Sequence, residues 1–143
     1  DFIFGPSTAW FESCTIHSKA NSYITAASTP ANQTYGYIFN HCHLTAADNI
    51  NKVYLGRPWR PYAHTLFMNC IMDSHIRPEG WENWRNPANE KTARYQEYNN
   101  TGAGANTSKR VGWSHQLTKK EAQGITIEKV FHSDTSWLPS CMK

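Results

Sequence analysis

Three segments of the chain repeat one pattern at a fixed interval. They read Trp10-Phe11-Glu12-Ser13-Cys14-Thr15-Ile16, Ile38-Phe39-Asn40-His41-Cys42-His43-Leu44 and Leu66-Phe67-Met68-Asn69-Cys70-Ile71-Met72. The three cysteines are each 28 residues apart, and a phenylalanine and a large aliphatic residue recur at matching offsets. Repeats of about 20 to 50 residues are typical of solenoids. Each unit is too short in apolar pattern for two helices, so the repeat predicts a parallel β-helix with like residues stacked between coils.

A second series of short apolar segments predicts another sheet of the same solenoid. These segments are Phe2-Ile3-Phe4, Tyr23-Ile24-Thr25 and Val53-Tyr54-Leu55. They start about 21 and then about 30 residues apart, so loops of different length connect them within successive coils. Functional side chains in solenoids commonly lie where such loops overhang a sheet.

The cysteines of the repeat allow two interpretations. In-register stacking places Cys14, Cys42 and Cys70 in an interior ladder of small buried side chains, which we favour. Neighbouring strands lie about 4.8 Å apart, so a disulfide is also possible in Cα distance. Parallel side chains in register rarely aim their sulfurs at each other, however, and Cys141 in the terminal tail has no evident partner.

Beyond Gly80 the repeat fades and the sequence predicts a cap for the last coil. Residues 92–98 are expected to form a strand and residues 99–106 a turn. Thr118 and Glu121 have the spacing of a capping box, so a short helix should run through Gln123 and end at Gly124. We therefore expect residues 1–143 to belong to a single all-β domain with a short helix and loop cap.

Composition excludes several classes of protein. The 143 residues are 39% hydrophobic and 17% charged, with a net charge of +3 and no dense basic run, which argues against nucleic-acid binding. No apolar run approaches the roughly 18 residues of a membrane span. His41, Cys42 and His43 are adjacent, but strand alternation puts both histidines on the face opposite Cys42. No metal or other cofactor is expected.

Asp1 and Arg57 are the candidate reactive pair. If the second series of segments lies on consecutive coils, these residues are two coils apart, or roughly 10 Å between backbones. An extended arginine can close that gap and hold the carboxylate ionised through two hydrogen bonds. A carboxylate so placed against an ester can attack it. The spacing alone also fits a structural salt bridge at the edge of a coil, and on spacing alone we favour that interpretation.

Several segments together resemble the signature blocks of the pectin methylesterase family. Asp1-Phe2-Ile3-Phe4-Gly5 is similar to one block and Leu55-Gly56-Arg57-Pro58-Trp59 to another. Three further stretches, taken in chain order, resemble the segments that accompany these blocks. They are Tyr23-Ile24-Thr25-Ala26, Met72-Asp73-Ser74-His75-Ile76 leading to Gly80-Trp81, and Glu97-Tyr98 with Asn100-Thr101-Gly102-Ala103-Gly104-Ala105.

The resemblance implies a right-handed parallel β-helix that removes methyl esters from polygalacturonate and releases methanol. It implies that Asp1 is the nucleophile and Arg57 its orienting partner, while Trp59 and Phe4 form aromatic contacts to the sugar. Tyr62, three residues beyond Trp59, is a further candidate contact. Met72 is also a candidate, although its place in the inward ladder favours core packing.

The chain departs from the family pattern in one respect. The second aspartate and the oxyanion glutamines of the family lie in a Gln-Asp block upstream of the first signature block, and no Gln-Asp dipeptide occurs here. We therefore expect a C-terminal portion of a secreted, extracellular or periplasmic esterase, without its N-terminal coils and inactive alone. Its partners would be methyl-esterified polygalacturonate and the missing N-terminal segment, and the intact protein would be a monomer. A non-catalytic carbohydrate-binding β-helix, or an esterase of this fold acting on another ester or a thioester, are the alternatives.

Overall fold

Short parallel strands build a three-sheet β-helix in the computed structural model, which describes residues 1–132 and 136–142. Each of the first three coils contributes one strand to each sheet. The first coil has β1 (Ile3–Gly5), β2 (Ala9–Glu12) and β3 (Thr15–Ser18), the second has β4 (Tyr23–Ala27), β5 (Tyr37–Asn40) and β6 (His43–Ala46), and the third has β7 (Tyr54–Gly56), β8 (His64–Met68) and β9 (Ile71–Met72); β10 (Arg94–Tyr98) and β11 (His115–Gln116) follow. The sheets have the orders β1-β4-β7, β11-β10-β8-β5-β2 and β3-β6-β9. All their strand pairs are parallel, which confirms the predicted fold class.

The strand register reproduces the interval of the sequence repeat. Phe11 pairs with Phe39 and Phe39 with Phe67, and their rings stack with centroids 4.5 and 4.4 Å apart. On the third sheet, Ile16, Leu44 and Met72 are buried one above the other. Residues that recur at the same offset therefore lie on top of each other in the core, as the repeat predicts.

The cysteines of the repeat are free thiols; Cys42 and Cys70 are buried inside the coil stack, and Cys14 on the first coil is half-buried. The Cys42 thiol donates to the carbonyl of Phe11 at 3.4 Å, and the Cys70 thiol donates to that of Phe39 at 3.5 Å. Each sulfur therefore points toward the backbone of the preceding coil. This arrangement confirms the ladder of stacked cysteines that we favoured from the sequence.

The phenylalanine stack ends at a buried ion pair. Glu97 pairs in register with Phe67, and its carboxylate oxygens accept from Nε and Nη2 of Arg110 at 2.9 and 3.1 Å. The two side chains are only 1% and 3% exposed. Trp81 and Gln116 also donate to this carboxylate. The ion pair thus closes the apolar stack where the regular coils stop.

The cap follows the sequence expectation closely. The strand expected over residues 92–98 is β10, and the expected turn over residues 99–106 contains a 3₁₀ turn, Ala103–Ala105. Helix α1 (Lys119–Gln123) begins after Thr118 with a capping box to Glu121 and ends at Gly124. The other short helices are α2 (Ile127–Val130) and the 3₁₀ turns Pro87–Lys91 and Ser140–Met142. Within residues 1–132 and 136–142, no helix combines the length and apolar character needed to cross a bilayer.

Candidate active site

The sheet β1-β4-β7 brings the two reactive candidates to one surface. Ile3 pairs with Thr25, and Thr25 pairs with Gly56, so the segments around Asp1 and Arg57 lie two coils apart as the sequence predicts. The Arg57 amide donates to the Thr25 carbonyl at 3.1 Å. This backbone bond fixes the start of the arginine side chain at the end of β7.

Arg57 holds the Asp1 carboxylate through two hydrogen bonds. Its Nη2 donates to Oδ2 at 2.6 Å and its Nε donates to Oδ1 at 3.2 Å. Charge-assisted bidentate contacts of this kind fix geometry as well as charge. The side chains of Asp1 and Arg57 are 21% and 28% exposed, so the pair is shielded but still reaches solvent. A substrate could therefore approach an ionised carboxylate of fixed orientation.

Two aromatic rings sandwich the guanidinium of Arg57. Its central carbon lies 4.0 Å from the ring centroid of Tyr23 and 4.0 Å from that of Trp84. Rings on both faces hold the planar group by cation–π contact and restrict its rotation. Neither Trp84 nor Tyr23 was placed against Arg57 from the sequence. For Tyr23, the available signal was its position on the strand that precedes the Arg57 coil, where it pairs with Tyr54.

The residue before Arg57 has to be glycine for a packing reason. A Cβ on Gly56 would collide with Oγ1 of Thr25 and press against the Trp81 ring. Thr25 Oγ1 is itself fixed, since it donates to the Leu55 carbonyl at 3.0 Å. The strand that leads into Arg57 therefore packs directly against Thr25 and Trp81, with no room for a side chain at position 56.

A surface cleft of about 370 Å³ adjoins the carboxylate. It is lined by Asp1, Phe4, Ala26, Trp59 and Trp84. Phe4 and Trp59 are 62% and 39% exposed, and their rings meet edge to face with centroids 6.0 Å apart. Among these lining residues, Asp1 is the one ionisable group. The cleft thus combines a single oriented carboxylate with exposed aromatic faces of the kind that pack on sugar rings.

The other two candidate contacts lie elsewhere. Tyr62 is exposed on the loop that follows Trp59, but it does not line the cleft beside Asp1. Met72 is fully buried in the core, where its sulfur lies 3.9 Å from Nη2 of Arg110. The prediction that Met72 contacts substrate is wrong, because its strand position points the side chain into the coil stack.

The histidines beside Cys42 each have a carboxylate neighbour. His43 Nε2 lies 2.9 Å from Oδ1 of Asp73, and His41 Nδ1 lies 3.3 Å from Oε2 of Glu12. Cys42 faces the interior instead. In the described part of the chain, no group of three or more His, Cys, Asp or Glu side chains is arranged to hold a metal ion.

The fold and this cleft define a parallel β-helix protein with a surface aspartate–arginine pair. The sequence profile of the pectinesterase family matches residues 1–134. The chain is 44% identical to Pectinesterase 31 of Arabidopsis thaliana over 142 residues, covering 96% of this chain and 44% of that protein. The chain belongs to the pectinesterase family.

Solved structures agree with that assignment. Pectin methylesterase from carrot superimposes with a TM-score of 0.87 at 35% identity, covering 96% of this chain and 48% of the carrot chain. A pectin methylesterase in complex with a hexasaccharide superimposes with a TM-score of 0.81 at 32% identity, covering 97% of this chain and 49% of the other. The chain therefore spans about half the length of the relatives it matches, or less.

Proposed function

We propose that this chain supplies the nucleophile and one aromatic wall of a pectin methylesterase active site. The observation that carries the proposal is the bidentate Asp1–Arg57 contact at the base of an aromatic cleft, in a member of the pectinesterase family. A structural salt bridge would not need to face a cleft. The substrate would be methyl-esterified polygalacturonate, with the sugar rings packed on Phe4 and Trp59.

The reaction would proceed through an acyl intermediate on Asp1. An Asp1 carboxylate oxygen attacks the ester carbonyl carbon, the bond to the methoxy oxygen breaks, and that oxygen leaves as methanol after taking a proton from an acid. Water, losing a proton to the same group, then cleaves the new anhydride bond. This step releases the free uronic acid and restores the Asp1 carboxylate. Arg57 would keep the carboxylate ionised and aimed throughout.

The groups that complete this chemistry are not among the residues that line the cleft. The mechanism requires an acid/base and donors for the oxyanion, whereas the lining residues offer Asp1 and apolar or aromatic side chains. Strands β1, β2 and β3 each lie at the edge of their sheet, with one side of the ladder open to a further parallel strand. We infer that additional coils stack on this edge and supply the acid/base and oxyanion groups. The isolated chain is then inert as an esterase.

The aromatic faces favour a sugar over the other ester classes. Phe4 and Trp59 expose large ring surfaces next to the carboxylate, which suits a pyranose ring better than a flexible thioester chain. The solved relative with a bound hexasaccharide supports an oligosaccharide ligand. A net charge of +3 is compatible with a polyanionic substrate. Because this polymer lies outside cells, we place the protein in an extracellular compartment.

The proposal is tested by methanol release from methylated pectin. A polypeptide that joins further N-terminal coils to this chain should be active, residues 1–143 alone inactive, and the Asp1→Asn variant of the longer polypeptide inactive while still binding the substrate. Asp48→Asn changes an exposed aspartate away from the cleft and serves as the matched control. Full activity of the Asp1→Asn variant would exclude Asp1 as the nucleophile. Retained binding by an inactive wild-type polypeptide would instead support a carbohydrate-binding β-helix.

A further inference from the structure

Arg94, at the start of β10, uses its whole guanidinium to hold two loops by their backbone. Nε and Nη2 donate to the Tyr62 carbonyl at 3.0 and 2.6 Å. Nη1 donates to the carbonyls of Gln33 and Thr34 at 2.8 and 3.1 Å. Nη2 also donates to the Pro30 carbonyl at 3.3 Å. One side chain thus reaches four carbonyls that are up to 64 residues away in sequence.

This cation has no carboxylate partner among the described residues. The ion pairs formed by arginines in the described ranges involve Arg57 and Arg110, whereas Arg94 contacts carbonyl oxygens alone. Burial lowers the pKa of the Arg94 guanidinium. A cation kept half-buried for packing alone would normally be paired, so its placement calls for another reason.

The two loops that Arg94 holds are equivalent turns of neighbouring coils. Residues 28–36 connect β4 to β5, and residues 57–63 connect β7 to β8. His64 joins the same turns, because its amide donates to Thr29 Oγ1 and its Nδ1 accepts from the Gly36 amide. The second loop carries Trp59, a wall of the cleft, and Tyr62, whose carbonyl receives two of the Arg94 bonds.

We propose that Arg94 is a positioning residue that fixes the aromatic wall of the substrate cleft through the Tyr62 carbonyl. This inference rests on the proposed function, since it assigns the wall to substrate binding. Arg94 lies on a different sheet from the strand that follows Asp1, and its guanidinium hydrogen bonds go to residues that do not line the cleft. Its effect is therefore on substrate affinity and leaves the nucleophile unchanged. Lysine would keep the charge but not the planar fork that serves several carbonyls at once.

The test compares four forms of a polypeptide that joins further N-terminal coils to this chain: unsubstituted, Arg94→Ala, Arg94→Lys and Lys91→Ala. Lys91 is exposed three residues before Arg94, so its removal takes away the same charge without the loop contacts. Calorimetric titration with methyl-esterified hexagalacturonate gives the affinity, and hydrogen exchange followed by mass spectrometry reports on peptides covering residues 28–36 and 57–63. Thermal midpoints are recorded, and the comparison is made well below the lowest of them.

Both Arg94 variants should bind the hexasaccharide about 10-fold more weakly, because the wall must then be ordered on binding. In both Arg94 variants, hydrogen exchange should rise in the two loops but not in the sheet β3-β6-β9. The Lys91→Ala variant should match the unsubstituted form in affinity and in exchange. If Arg94→Ala does not fold, Arg94→Lys decides the question alone. Unchanged affinity in a folded Arg94 variant, or full rescue by lysine, overturns the inference and leaves the proposed function standing. Absence of binding by the unsubstituted longer polypeptide overturns the proposed substrate, and the inference with it.

Discussion

Arg57 binds the Asp1 carboxylate although its own backbone lies level with Phe4. Thr25 pairs with Gly56, so Arg57, the next residue, lies level with Ala26, which pairs with Phe4. The backbone at Arg57 is therefore displaced along the sheet from that at Asp1. The guanidinium reaches back over this distance between the rings of Tyr23 and Trp84. Contact between the two residues therefore depends on length, planarity and stacking together, which only arginine provides.

The first prediction is that Arg57→Lys impairs the reaction although the charge is retained. Lysine cannot make the bidentate contact or stack between two rings, and hydrogen bonds to charged groups contribute about 1.5–3 kcal/mol. Methanol release by the longer polypeptide should therefore fall roughly 10- to 100-fold. Arg85→Lys is the matched control, because Arg85 is exposed beside Trp84 and its side chain forms no ion pair in the described ranges. Equal rates for Arg57→Lys and the unsubstituted enzyme would rule out an orienting role.

The second prediction concerns the buried pair of Glu97 and Arg110. Arg110→Met leaves the Glu97 carboxylate without its cation in a site that is 1% exposed, and breaking such a pair costs about 3–5 kcal/mol. In urea unfolding, the loss of stability in Glu97→Gln/Arg110→Met should be smaller than the sum of the losses in the two single variants. Glu79→Gln provides a control, since Glu79 is exposed and makes no ion pair within the described part of the chain. Additive losses would show that the two side chains are not coupled.

The sequence predicted the coil stack well because a parallel solenoid translates its repeat directly into space. Phe11, Phe39 and Phe67 recur at one interval, and each therefore lies above the next. The same rule placed Met72 in the core, where it is fully buried, and the alternative that it contacts substrate is wrong.

Other features could not be obtained from periodicity. The loop that brings Trp84 onto Arg57 depends on left-handed backbone at Trp84 and Arg85, with φ of 62° and 54°. Such conformations are uncommon for residues other than glycine, and the sequence repeat does not predict where they occur. The Arg94 contacts were hidden for a related reason, since they join loops that lie up to 64 residues away in sequence.

The third prediction concerns thiol reactivity. In the folded chain Cys141 is exposed, whereas Cys42 and Cys70 are buried. A hydrogen bond with Cys42, together with burial, raises the pKa of the Cys70 thiol, and burial raises that of Cys14. The same hydrogen bond with Cys70 lowers the pKa of the Cys42 thiol to about 7, but Cys42 is only 1% exposed, so burial keeps a reagent away from it. A disulfide-exchange reagent at neutral pH should therefore label Cys141 fast and the ladder thiols slowly. Denaturation should make all four cysteines reactive, and Cys141→Ser should remove the fast phase. Fewer than four thiols after denaturation would reveal a disulfide.

The fourth prediction is a loss of stability in mild acid that originates at His64. This side chain is 3% exposed, its Nδ1 accepts from the Gly36 amide at 2.8 Å, and its Nε2 lies 3.0 Å from Oε1 of Gln96. Burial, with a smaller effect from Arg94, lowers its pKa from 6.5 to about 4. Protonation of Nδ1 would replace this hydrogen bond by two N–H donors, of His64 and of Gly36, that face each other without an acceptor.

Because the pKa of His64 is lower in the folded than in the unfolded state, the unfolded chain binds the proton first as the pH falls. The stability that neutral His64 contributes should be complete above pH 6.5 and should decline between pH 6.5 and about 4. Below that value the free energy of unfolding should lose nothing further from His64. The total loss is roughly 3 kcal/mol, at 1.36 kcal/mol for each unit of pKa difference. Urea unfolding at a series of pH values measures it. His64→Gln should lower stability at neutral pH and flatten the decline, whereas His132→Asn, which replaces an exposed histidine, should retain the decline. A decline of equal steepness in His64→Gln would assign the acid sensitivity to other groups.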